Sequence, residues 1–180
     1  MLRSVAEPEG AMTTKLLEAT AEPEPLEHSS PEPRAHFPPA VMAILEAPEA
    51  VEVVALKPTL TDDFDTSERP GFLFGHRVRG SVRVPTAARQ IAVARAVIEA
   101  NRTRNGWALC FDPHYAVRVS RGTETVVLLF CFWCGNVRVV GRGTDDGTYL
   151  LGKSAERVLR KELRRGGVGL LWFWRCWLPW

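Results

Sequence analysis

The chain has no run of 18 or more apolar residues, which excludes a helix long enough to span a bilayer. No apolar segment follows a basic start, so no secretory signal is expected. The chain holds one Cys-x-x-Cys pair and no second to complete a four-cysteine ribbon. With 180 residues it needs neither metal nor disulfides merely to build a core. The four cysteines, three of them in or beside apolar runs, suit thiols that stay reduced and pack as small apolar groups, which predicts a cytoplasmic protein.

Charge is divided unevenly. Residues 1–40 carry 3 Lys/Arg against 7 Glu, a net of −4, and leave 20 basic and 14 acidic residues, net +6, for the rest. The same stretch holds 7 of the 13 prolines and repeats Pro-Glu pairs, with too few apolar side chains to offset the entropy of ordering. It reads as a disordered Pro/Glu-rich arm. Residues 41–170 read as a single domain, and residues 171–180 as a Trp-rich apolar tail.

Inside the domain, apolar periodicity assigns the elements. Tyr115, Val117 and Val119 alternate with Ala116, Arg118 and Ser120, the pattern of a half-buried strand. Val126 to Cys134 is apolar throughout, so both faces of that strand should be covered. Gly135-Asn136 suits a tight turn, and Val137 and Val139 resume the alternation. Val51–Leu56 and Phe72–Val84 read as further strands, the latter with Arg77, Arg79 and Arg83 on a wet face. Thr86 opens an Ala-rich helix with Ile91, Ala94, Val97 and Ile98 on one side. Ser154 caps a second, ending at Gly166, and Ala43–Glu46 forms at most a helical turn. The sum is an α+β fold: a mostly antiparallel sheet of about five to seven strands with two helices against it.

Several patterns invite a chemical reading. Gly147 to Ser154 satisfies GxxxxGK[ST], but its centre is Tyr-Leu-Leu and no buried parallel strand precedes it, so an edge strand running into a helix is the better account. Cys131-Phe132-Trp133-Cys134-Gly135 resembles a zinc knuckle. If residues 126–134 form one continuous strand, the two sulfurs point to opposite faces and cannot share a metal. Chelation requires the chain to curl at Phe132–Gly135. The remaining ligands would then be Cys110 and His114, since Cys176 lies in the tail. Two readings stay open, a zinc site of Cys110, His114, Cys131 and Cys134, and thiols packed in a core.

Redox catalysis by the pair is disfavoured because a strand, not a helix, follows it. A thiol hydrolase on Cys110 and His114 lacks an orienting third group. Arg77, Arg79, Arg83, Arg118 and Arg138 could track phosphates, but no interleaved aromatics accompany them, so nucleic acid is not the expected partner. Trp172, Trp174, Trp177 and Trp180 in the tail suit contact with a protein or a membrane surface.

With Cys110-Phe111-Asp112-Pro113, Arg118, the Gly122 turn, Cys131-Phe132-Trp133-Cys134 and the closing helix Arg157 to Val168, the chain resembles an uncharacterised family of small bacterial proteins. That family has a C-F-x-P start, a hydrophobic strand ending C-F-x-C, and a closing helix followed by Gly-Val. The resemblance spans roughly residues 50–170 and implies the fold and its boundaries, with no reaction attached. Where the family would place a histidine just before the strand, this chain has Tyr115, with His114 one position earlier. The expectation for function is a small non-enzymatic binding or accessory module. The alternative is a zinc-binding or thiol-dependent site on Cys110, Cys131 and Cys134.

Overall fold

The computed structural model describes residues 34–57, 69–103, 110–141 and 147–169. The arm before residue 34 and the tail with its four tryptophans and Cys176 lie outside the described residues.

Among the described residues, seven strands form one antiparallel sheet in the order β2-β3-β1-β4-β5-β6-β7. They are β1 (Ala50–Leu56), β2 (Phe72–Leu73), β3 (His76–Arg83), β4 (Tyr115–Arg121), β5 (Glu124–Cys131), β6 (Asn136–Gly141) and β7 (Gly147–Leu150). Three helices among the described residues accompany them: α1 (Pro39–Glu46), α2 (Ala87–Arg102) and α3 (Ser154–Arg165). The expected α+β architecture stands. The third helix is α1, where the sequence suggests a single turn; Pro at its first position needs no N–H partner there. Ser154 is the first residue of α3, and Lys153 holds the cap position instead.

One face of the sheet packs under the helices. Val51, Val53, Tyr115, Val117, Val119, Val126, Leu128, Phe130, Val137 and Val139 point there, against Val93, Val97, Leu159 and Leu163. The alternate residues Val54, Leu56, Ala116, Val127 and Leu129 point the other way, beneath Leu73 and Phe74. The two-sided burial expected of Val126–Cys134 is therefore present as far as Cys131, where β5 ends. Phe72–Val84 is not one strand: Phe74 and Gly75 both take positive φ (48° and 81°) between the paired Leu73 and His76, a two-residue turn whose twist matches the flanking strands. That hairpin folds part of the chain over the second face.

Residues 34–38, assigned by composition to the arm, belong to the packed body. Arg34 bridges to Tyr149, Phe37 is buried, and the carboxamide of Asn101 ties the segment down. No helix among the described residues is long and apolar enough to cross a membrane.

Candidate functional site

The chemistry-bearing residues gather where β5 turns into β6. The strand expected to run on to Cys134 stops at Cys131, which pairs with Asn136, and Phe132–Gly135 form the turn between them. Gly135 takes φ +69°, a conformation a side chain disfavours, and this is what allows the chain to double back so tightly. Phe132 swings inward, stacked on Phe130 at 5.4 Å and edge-on to Tyr115 at 5.6 Å between ring centroids. Trp133 goes the other way and is 79% exposed, while Cys131 and Cys134 on either side are buried.

Curling brings the sulfurs into one neighbourhood. The Cys134 N–H donates to Cys131 Sγ at 3.4 Å. The His114 N–H bond to the Phe130 carbonyl holds the 110–114 segment beside the turn, and Cys110 and Cys134 are joined as a disulfide with Cα atoms 6.1 Å apart. The expectation of uniformly reduced, packed thiols is corrected here: Cys110 is exposed and bridged, Cys134 is buried and bridged, and Cys131 remains a buried thiol. Burial pushes the Cys131 thiol above its ordinary pKa, and the Asp112 carboxylate adds to the rise, against the pull of the backbone donors. It is a packed, protonated group in this form, not an activated nucleophile.

His114 lies at the head of β4. Its N–H bonds to the Phe130 carbonyl at 3.1 Å and its carbonyl accepts from Leu56 N–H at 2.9 Å, so its main chain is fixed between β1 and β5. With the bridge closed, the described residues hold no group of three His, Cys, Asp or Glu side chains placed to ligate a metal.

A grouping of three residues at this end, His76, Asp112 and Arg138, escapes sequence reasoning. His76 opens β3 and is buried; burial lowers its pKa, the Asp112 carboxylate raises it, and the Arg138 guanidinium lowers it again. Arg138 lies over the Phe111 ring at 5.1 Å. His76, Asp112 and Arg138 thus share one electrostatic neighbourhood on the face away from the helices.

The basic face read from the alternation does not survive as a surface of bare cations. Arg77, Arg79 and Arg83 are exposed as expected. Arg118, however, pairs with Glu52 at 2.8 Å, and Arg138 is half-buried over Phe111. The denser charge lies on α3 and its cap, where Lys153, Arg157, Lys161, Arg164 and Arg165 are exposed along a shallow groove. Gly147–Ser154 is an edge strand leading into a helix, as argued against a phosphate loop.

Comparison of the chain with protein-family models, with curated proteins and with solved structures returned no match.

Proposed function

We propose that the protein is a small, non-enzymatic binding module whose contact point is the β5–β6 turn. What supports the reading is Trp133: an indole held almost fully in solvent on a turn anchored by buried neighbours has given up burial that a core would offer it. Tryptophan on a rigid support is a strong anchor for a protein partner with an apolar pocket, because little side-chain entropy remains to be lost. In this reading the tail tryptophans Trp172, Trp174, Trp177 and Trp180 add a second apolar contact, to protein or membrane surface. The resemblance to small bacterial proteins belongs to the same reading and adds no reaction.

The test compares the full chain with Trp133→Ser and with Trp172→Ser in quantitative capture from a bacterial lysate. The expected result is a partner retained by the Trp172 variant and depleted by roughly tenfold with Trp133→Ser, the scale of a hot-spot residue. Equal capture by all three proteins sinks the reading. Thermal unfolding of Trp133→Ser should match the parent, since the side chain packs against little.

A second reading is favoured by one observation, the curl that turns the Cys134 N–H back onto Cys131 Sγ while Cys134 is joined to Cys110. It is a zinc-binding or thiol-dependent site on Cys110, Cys131 and Cys134.

A further inference from the structure

We propose that opening the Cys110–Cys134 bridge converts the β5–β6 turn into a zinc site with Cys110, Cys131 and Cys134 as its sulfur ligands, so that bridge and metal exclude one another. This rests on the second reading above and adds to it the state in which the metal binds.

The condition for chelation by a Cys-x-x-Cys pair is that the chain curls between the two residues, and it does. β5 ends at Cys131, Gly135 supplies the positive φ, and the Cys134 N–H reaches back to Cys131 Sγ. The third sulfur is in place as well, since Cys110 touches Cys134. A buried thiol kept only for packing needs no donors aimed at it. Here the Cys134 N–H is turned back onto Cys131 Sγ at 3.4 Å. Such a donor is best satisfied by a sulfur bearing negative charge, and a metal ion supplies the compensation that burial otherwise denies to a thiolate.

The ligand chemistry selects the ion. Thiolates are soft ligands that favour zinc over magnesium or calcium, and a tetrahedral ion takes three of them with water in the fourth position. Cys110, at the exposed edge, gives that water access.

The steps balance. A dithiol reductant gives two electrons and two protons to the Cys110–Cys134 bond and closes to its own disulfide, which leaves two thiols. Zinc then displaces the three S–H protons of Cys110, Cys131 and Cys134.

The experiment uses the full chain carrying Cys176→Ser, which removes the tail thiol. It is prepared metal-free with the bridge closed, confirmed by intact mass after alkylation, and again after reduction. Zinc is titrated against a chromophoric chelator, and cobalt(II) serves as the spectroscopic probe. The expected result is one zinc per chain and sulfur-to-cobalt charge-transfer bands in the reduced protein, with neither in the bridged protein.

Cys110→Ser, at an exposed position that folding can spare, should lower zinc affinity on the order of 100-fold or more, and Cys131→Ser likewise. A reduced chain that binds no zinc overturns the second reading and the proposal together. Equal zinc binding by bridged and reduced chains leaves a metal site standing and overturns the mutual exclusion. Cys110→Ser binding as tightly as the parent shows the sulfur set to be wrong.

Discussion

Asn101 shows what one buried amide can hold. It is 3% exposed near the end of α2; its Oδ1 accepts the Phe37 N–H at 3.2 Å, and its Nδ2 donates to the Leu150 carbonyl at 2.8 Å and the Ala35 carbonyl at 3.2 Å. Three segments far apart in sequence meet on that side chain. Asn101→Ala strands one buried N–H and two carbonyls at once, so a loss of about 2–4 kcal/mol is expected in urea denaturation. A change under about 0.5 kcal/mol, the size of an ordinary surface substitution, refutes the role. His76 makes a pH-dependent contribution through the same currency of buried polar groups. Its folded pKa lies below the unfolded value of 6.5, chiefly because burial disfavours the charged ring. The unfolded chain therefore binds the extra proton first as pH falls. Stability from this residue is complete above pH 6.5 and is lost progressively between that value and the lowered folded pKa. Denaturation midpoints at about pH 7.5 and about pH 5.5 should differ more for the parent than for His76→Gln; parallel pH slopes for the two proteins contradict the assignment.

At the scale of elements, β5 carries the fold, and its sequence announced this only in part. Unbroken apolarity from Val126 correctly implied cover on both faces, and the structure divides it: Val126, Leu128 and Phe130 go under the helices, Val127 and Leu129 under Leu73 and Phe74. Where the strand ends was hidden, because the apolar run continues through Phe132, Trp133 and Cys134 while the backbone already turns. Apolar content reports burial, and a turn tucked against a core is apolar too. The β2–β3 hairpin was concealed for the opposite reason: Phe74, an unusual residue for positive φ, stands where a glycine or asparagine would have marked the turn. Leu129 tests whether the second face is a core in energy as well as geometry. It is fully buried, as Leu128 is. Leu128→Ala and Leu129→Ala should each cost about 2–5 kcal/mol. If Leu129→Ala costs less than about 1 kcal/mol while Leu128→Ala is severe, the cover over the second face is too loose to act as a core.

For the molecule as a whole, the pairing of Cys110 with Cys134 was beyond reach of the sequence, since spacing does not encode which of several cysteines meet. The meeting depends on two tertiary events. The 110–114 segment must lie beside the β5–β6 turn, and that turn must curl at Gly135. Both follow from the sheet order, which sets β4 next to β5 and delivers the residues ahead of β4 to the same end as the turn after β5. The bridge spans a sequence separation of 24, which removes unfolded-state freedom corresponding to about 3.5 kcal/mol at room temperature in the chain-entropy account. The packed core of β4, β5 and the helices does not include Cys110, so the fold should persist without the bridge at reduced stability. The bridged parent is therefore expected to unfold at higher urea than Cys110→Ser by an amount equivalent to about 2–4 kcal/mol, with unchanged far-ultraviolet circular dichroism at zero denaturant. Reduction of the metal-free parent should bring its midpoint down to that of Cys110→Ser. Should the bridged and reduced parents unfold at the same urea concentration, the cross-link adds nothing to the fold, and Cys110 is held beside Cys134 by the surrounding hydrogen bonds alone.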